Sequence, residues 1–231
     1  MIGNRVCFFQ TIASTNDYLK QNLSDHTSGD LIVARIQTAG RGRRDRHWVS
    51  RDGNLHTSLL LEVESVKWTD FDVVMRTSLA VVHALDTFGV ISAIKYPNDI
   101  VVGTRKIAGI LIEKTKNHYI VGIGINVTLD DGTSYAFHPT SIYLETGRLV
   151  DYRDVLSAFI EAFNALIDVL DDVILEQYKT LSRVLNNDIA IDDTTHLVVD
   201  ITKDGSLRLD HLDGPLVQPN EVTLQGWYDD K

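Results

Sequence analysis

Apolar positions along the chain form two patterns, short β-branched runs and longer stretches with helical spacing. The runs at 6–9, 31–36 and 54–61 predict strands, and three more at 91–95, 107–113 and 119–125 are bounded by Gly, Pro or Asn. Helical spacing over 70–88 ends before Gly89, and the stretch 151–178 is the longest such pattern. These elements predict an α+β fold, a mixed sheet with helices.

The two ends of the chain differ in pattern. Near the start, Ser14-Thr15-Asn16-Asp17 supplies N-cap chemistry for a helical turn over 18–23, and there is no helix-turn-helix pattern. From Val184 onward, β-like runs at 197–201, 207–209 and 221–224 alternate with turns at 204–205 and 213–214. The change near Arg183 predicts two domains, 1–183 and 184–231. A β module this small is expected to pack against the larger domain.

Composition narrows the class of protein. The chain has 231 residues, 44% of them hydrophobic and 23% charged, which is typical of a globular protein. It has neither a long apolar run nor a signal-like start, so we expect a cytoplasmic protein without a membrane partner. Cys7 is the single cysteine and is expected to be a packed strand thiol. The eight histidines lack paired ligand spacing, so no protein-held metal is expected.

A basic cluster stands out because the net charge is -10. Four arginines crowd into residues 40–48, between two glycines and Trp48, in a connection between strands. Guanidinium groups bind phosphate or carboxylate in pairs of hydrogen bonds, and glycine allows close backbone approach. The segment therefore predicts an anion site, with a solvated basic loop as the alternative. The acidic balance argues against a nucleic-acid partner.

Three further segments carry polar groups at strand ends. Lys95-Tyr96-Pro97-Asn98-Asp99 presents an amide and a carboxylate, which suit a ligand or Mg²⁺, or else a simple Asx turn. Lys106 precedes a strand with small residues and could stabilise developing charge, or it could be a surface lysine. The Gly122-x-Gly124 pattern with Asn126 is weak evidence alone, and neither a dinucleotide fingerprint nor a Walker motif is present.

Taken together, these segments resemble the biotin protein ligases, also called biotin–acetyl-CoA-carboxylase ligases. The matching motifs occur in order: Ser14-Thr15-Asn16, Gln37, Gly40-Arg41-Gly42-Arg43-Arg44, Arg46-x-Trp48, Gly53-Asn54-Leu55, Ser58, Lys95-x-Pro97-Asn98-Asp99, Lys106 to Glu113, and Gly122-x-Gly124-Ile125-Asn126. Asp45 replaces the family's usual glycine, and Tyr96 its usual tryptophan. The tail resembles the family's SH3-like barrel, apart from Asn220-Glu221 where Gly-Glu is commoner. The resemblance is to the short class without a DNA-binding domain.

The resemblance implies a class II synthetase-like catalytic domain of the biotin/lipoate ligase type and a two-step reaction. Biotin and ATP form biotinyl-5′-AMP, which then acylates a lysine of a biotin carboxyl carrier protein. ATP, accompanied by Mg²⁺, and biotin are thus the implied ligands, and a homodimer is possible. The implied catalytic residues are Lys106, Arg41 and Asp99. The implied biotin-binding residues are Ser14, Thr15, Asn16, Gln37, Gly40, Arg41, Lys106 and Gly109. The implied adenylate-binding residues are Arg43, Arg44, Arg46, Trp48, Lys95, Asn98 and Asn126.

Two other functions stay open from the sequence. A lipoate or octanoyl ligase shares the expected fold, but it normally lacks the arginine-rich loop and the Lys-x-Pro-Asn-Asp turn. A biotin-binding regulator without turnover has Asp45 as its sequence support, because that carboxylate adds negative charge to the proposed adenylate loop. We also expect the arginine loop to become ordered when an anion neutralises its charges.

Overall fold

The computed structural model describes residues 1–44, 46–128, 139–191, 194–210 and 217. Within these ranges no helix has the length and apolarity needed to cross a membrane. Asp45, the 213–214 turn, the 221–224 run and Asn220-Glu221 lie outside the described residues.

The larger part of the chain is built on a seven-stranded sheet in the order β1-β2-β3-β7-β6-β5-β4. Strands β1 and β2 are parallel and the other neighbours are antiparallel, so the predicted mixed sheet is confirmed. The strands are β1 (Val6–Ile12), β2 (Leu31–Gln37), β3 (Leu55–Glu62), β4 (Ala93–Lys95), β5 (Asp99–Val102), β6 (Arg105–Lys114) and β7 (His118–Ile125).

Helices contribute to two apolar clusters of different size. The large cluster joins the longest helices to the sheet through fully buried side chains such as Leu79, Phe159 and Leu59. The small one sets Leu19 of the first helix against Ile32 and other sheet residues. The helices are α1 (Thr15–Gln21), α2 (Val63–Val66), α3 (Asp70–Asp86), α4 (Ile142–Thr146), α5 (Tyr152–Leu166) and α6 (Asp171–Leu181).

The prediction of one continuous helix over 151–178 is wrong. The structure has α5 and α6, separated by a break at 167–170. Arg76 of α3 is buried and donates to the Val169 carbonyl at 2.8 Å and to the Asp171 carboxylate at 2.7 Å. The chain leaves the helical path where it supplies these acceptors, so a long-range polar contact overrides the local periodicity. The segment 95–99, predicted to follow a strand, forms the end of a hairpin between β4 and β5, and the sequence did not predict β5.

The C-terminal residues form a separate antiparallel sheet of β8 (Asp188–Ile191), β9 (Thr194–Ile201) and β10 (Leu207–Leu209). Gly205, with φ of +82°, occupies the predicted turn between β9 and β10. Apolar residues of this small sheet, including Val198 and Leu207, belong to the large core cluster. The small β module therefore packs on the main sheet domain, as expected, whereas closure into a barrel and the boundary near 183 stay predictions.

Candidate functional site

A cavity of about 260 Å³ brings together segments that are distant in sequence. It lies between the start of α1, the arginine loop (residues 40–48), the β4–β5 turn and the central strands β6 and β7. The predicted site residues that line it are Ser14, Thr15, Asn16, Gln37, Arg41, Arg43, Arg44, Arg46, Trp48, Lys95, Asn98, Asp99, Lys106 and Gly109. This convergence groups most of the predicted site in one place.

One end of the cavity is a hydrogen-bonded cluster at the start of α1. Ser14 caps the helix by accepting from the Asp17 amide. The Thr15 amide donates to Gln37 Oε1 at 2.8 Å, while the buried Ser58 hydroxyl lies 2.5 Å from Asn16 Oδ1. The cluster holds hydroxyl and amide groups in fixed directions, which suits a small neutral polar group rather than an apolar one.

The arginine loop crosses the cavity as a narrow turn, with Arg41 bridged to His47. Arg41 donates to Asp17 at 2.6 Å and to Glu113 at 2.9 Å, so two carboxylates balance its charge. Arg43 instead donates to Asn98 Oδ1 at 2.7 Å. Burial lowers the pKa of Arg43, and neighbouring Arg44 lowers it further. Carboxylates of the chain thus already balance the charge of Arg41, and ordering of the loop by an anion stays a prediction.

Glycines on the central strands make room for protein side chains. A Cβ on Gly124 would overlap the indole of Trp48, and one on Gly109 would lie 3.0 Å from Trp48 Cζ3. Two residues before Gly124 on β7, a Cβ at Gly122 would lie 2.5 Å from Asn16 Oδ1. The sequence placed Gly109 among the implied biotin-binding residues and left the Gly122-x-Gly124 pattern as weak evidence alone. In the structure, the ring of Trp48 and the amide of Asn16 occupy the space beside these glycines.

Cations surround Asp99 at the other end of the cavity. Lys106 Nζ donates to Asp99 Oδ1 at 2.5 Å and lies 5.6 Å from the centre of the Trp48 ring. Burial lowers the pKa of Lys95 to about 8; Asp99 opposes this shift, and Lys106 and Arg46 add to it. Lys95 is therefore still mainly cationic at neutral pH, and the end of the cavity combines positive charge with one paired carboxylate.

Two predicted site residues lie beside the cavity rather than along its lining. Gly40 passes under Trp48, since a Cβ there would be 2.6 Å from the Trp48 carbonyl oxygen. Asn126 follows β7, where its amide nitrogen lies 3.5 Å from the Lys106 carbonyl. Both positions hold residues of the cavity wall in place. Asn54, also part of a motif, accepts from the backbone amides of residues 127 and 128.

Sequence reasoning gave no role to Glu113 or His56. Glu113 was recognised only as the end of a motif, yet it contacts both α1 and the arginine loop. His56 of β3 pairs in register with Gly124 and is buried, with Nδ1 3.3 Å from the Ala34 carbonyl. Burial lowers the pKa of His56 to about 4 against weaker opposition from backbone hydrogen bonds. The available signal for His56 was a histidine at the start of the polar triplet His56-Thr57-Ser58, between apolar residues of β3.

A match to a protein-family model shows which family this chain belongs to. The model of the biotin/lipoate A/B protein ligase family matches residues 8–130, more than half of the chain. The chain belongs to this family. The resemblance inferred from the motifs is thereby confirmed, as is the ligase-type fold, because residues 8–130 contain nearly all of the seven-stranded sheet and the cavity lining.

Relatives in the family agree with this assignment. The bifunctional ligase/repressor BirA of Escherichia coli is 29% identical over 193 residues, which cover 80% of this chain and 60% of that protein. The biotin--[acetyl-CoA-carboxylase] ligase of Paracoccus denitrificans is 35% identical over 144 residues, covering 57% of this chain and 60% of that protein. The chain thus spans about 60% of the length of such curated relatives.

Solved structures share the fold of this family member. The biotin protein ligase of Aquifex aeolicus in complex with biotin and ATP superposes with a TM-score of 0.84 at 24% identity, over 96% of this chain and 98% of that one. The Leishmania major biotin protein ligase in complex with biotinyl-5-AMP gives 0.67 at 22% identity, over 96% and 99%. Coverage of nearly the whole chain places the small C-terminal sheet within the shared architecture.

Proposed function

We propose that the protein ligates biotin to a lysine of a biotin carboxyl carrier protein, using ATP and a biotinyl-5′-AMP intermediate. The observation that carries this proposal is a cavity with a neutral polar cluster at one end and a group of cations at the other. Such a cavity matches a ligand with a ureido ring and a carboxylate. Family membership, and relatives named as biotin ligases, support the same reaction.

Biotin would bind with its ureido ring at the start of α1. The Thr15 hydroxyl, the Asn16 amide and Gln37 offer both donors and acceptors there, as a ureido group requires. The carboxylate would then extend toward Lys106. An apolar ring in place of the ureido group would exclude water from these polar groups and offer them no further hydrogen bonds, which disfavours lipoate.

In the first step, a biotin carboxylate oxygen would attack the α-phosphorus of ATP, and diphosphate would leave. Both reactants are anions, so the step needs cations that hold them together. Lys106, Lys95 and Arg43 are positioned to supply them. Mg²⁺ would enter as part of the MgATP substrate, since Asp99, the carboxylate lining the cavity there, is already bonded to Lys106.

In the second step, the carrier lysine would attack the acyl carbon, and AMP would leave with the former carboxylate oxygen–phosphorus bond intact. Lys106 would polarise the acyl carbonyl, and Asp99 would orient the amine and accept its proton. The sequence predicted that the charge of Arg41 contacts biotin. Because Asp17 and Glu113 bind its guanidinium, Arg41 would act mainly by keeping the arginine loop in position.

The proposed reaction also suggests roles for the two domains, a partner and a location. We propose that residues 1–183 form the catalytic unit and that 184–231 form an SH3-like module packed against it. The carrier domain would be the macromolecular partner and the cytoplasm the location, because ATP is consumed. Pairing of two copies through the edge strand β1, which carries the exposed Phe8, is the arrangement we propose for a homodimer.

Transfer of labelled biotin to a carrier domain, together with release of diphosphate, tests the function. We expect Lys106→Ala to lower transfer about 10²-fold to 10³-fold, the usual effect of removing one electrostatic stabiliser. Lys203→Ala, at an exposed lysine paired with Asp172, is the matched control. Preference for lipoate would identify the other ligase type, and diphosphate release without transfer to any carrier would favour the regulator.

A further inference from the structure

Glu113 joins two parts of the cavity wall that are far apart in sequence. Its carboxylate, near the end of β6, accepts from Asn16 Nδ2 at 2.8 Å and Lys20 Nζ at 2.5 Å, both on α1. It also accepts from Arg41 Nη2 at 2.9 Å, on the arginine loop. One side chain therefore contacts the polar end of the cavity and the loop that crosses it.

The electrostatics favour an ionised Glu113. Its side chain is only 18% exposed, and burial alone would raise the pKa of the carboxyl. Hydrogen bonds from Lys20 and Asn16 outweigh burial, so the pKa is lowered overall, with Arg41 contributing. A partly buried carboxylate with charged donors makes stronger bonds than an exposed ion pair does. Of the two carboxylates that bind Arg41, Glu113 is thus less screened by solvent than Asp17, whose side chain is 34% exposed.

The Asn16 amide is held from both sides as a result. Its Nδ2 points to Glu113, while its Oδ1 lies against the Ser58 hydroxyl. Rotation of the amide would place two donors at Ser58 and a carbonyl against the Glu113 carboxylate, which is repulsive. The charge on Glu113 consequently determines which Asn16 atom occupies each direction at the polar end.

We propose that Glu113 is a positioning residue that couples the arginine loop to the polar end of the cavity. The same carboxylate fixes the Asn16 amide and the Arg41 guanidinium, so loop position and amide orientation are set together. Its role in catalysis rests on the proposed ligase function. The coupling itself concerns only contacts within this chain and is measured without turnover.

The experiment compares Glu113→Gln with Lys20→Met in the full chain. Lys20 binds the same carboxylate from α1, but it belongs neither to the arginine loop nor to the residues that line the cavity. An arginine-specific protease, with fragments identified by mass, reports the accessibility of residues 41–46. Loss of one partly exposed ion pair predicts about fivefold faster loop cleavage in Glu113→Gln, equivalent to about 1 kcal/mol, and wild-type cleavage in Lys20→Met. In steady-state ligation, the KM for biotin should rise about fivefold in Glu113→Gln alone.

Equal acceleration in both variants would overturn the proposal, because it would show that Glu113 only packs α1 on the sheet. Unchanged cleavage in a folded Glu113→Gln would also overturn it. If Glu113→Gln does not fold, Asp17→Asn removes the other carboxylate from Arg41 without touching Asn16. We expect faster loop cleavage in Asp17→Asn with an unchanged KM for biotin. A raised KM would contradict the proposal that Glu113, and not Asp17, fixes the polar end of the cavity. A wild type without ligase activity would refute the proposed function and leave the cleavage result valid.

Discussion

Acid should destabilise the protein through His56, a residue with no role in the proposed chemistry. The histidine is 1% exposed, and burial lowers its pKa from 6.5 to about 4 in the folded chain. The unfolded chain therefore binds the proton more readily, and stability falls as pH drops below the unfolded pKa toward the folded one. Between about pH 8 and about pH 5, this linkage removes roughly 2 kcal/mol, taking 1.36 kcal/mol per pKa unit.

Urea unfolding of the wild type and of His56→Leu at both pH values measures this effect. Carboxylates and other histidines titrate in both proteins, so the informative quantity is the difference between their pH dependences. The leucine side chain does not titrate, so the wild type should lose roughly 2 kcal/mol more than the variant on acidification. His83→Gln, on the exposed side of α3, should behave as the wild type does. Parallel stability curves for the wild type and His56→Leu would refute the reasoning.

Other predictions concern the cavity wall. Tyr96→Phe removes the hydroxyl that donates to the buried Gly205 carbonyl, so unfolding in urea should show a loss of roughly 1–3 kcal/mol, against none for the exposed Tyr143→Phe. Gly124→Ala should cost roughly 1–3 kcal/mol and shift tryptophan emission by displacing Trp48, whereas Gly89→Ala, with open space around it, should leave emission unchanged. Asp99→Ala should slow transfer from preformed biotinyl-5′-AMP about 10²-fold, and an unchanged rate would exclude it as a base.

Local patterns identified most strands, because β-branched runs and their Gly or Pro boundaries are short-range signals. The ordered motifs likewise identified the segments that meet at the cavity. The break between α5 and α6 was not predictable in this way. It depends on Arg76, which is 93 positions from Val169 in the sequence. Nothing within the helical pattern itself marks that contact.

The sequence also did not show which side chains contact each other across the cavity. Arg41 looked like a free cation in a basic cluster, but its carboxylate partner Glu113 is 72 positions away. Gly109 was expected among the biotin-binding residues, but the ring that lies against it and against Gly124 comes from Trp48. Residue types predicted the chemistry of the site, whereas the pairing of those residues required their positions in space.

The apolar interior continues across the predicted boundary near residue 183. The ring of Phe71, on α3, lies against Gly205 so closely that a Cβ there would be 2.6 Å from Cδ2, and Tyr96 reaches the same turn from the β4–β5 hairpin. Removing the small β module would therefore expose the back of the hairpin that carries Asn98 and Asp99. A truncated chain would confound loss of the module with damage to the cavity. Single substitutions at this junction are the sounder way to learn what the module contributes.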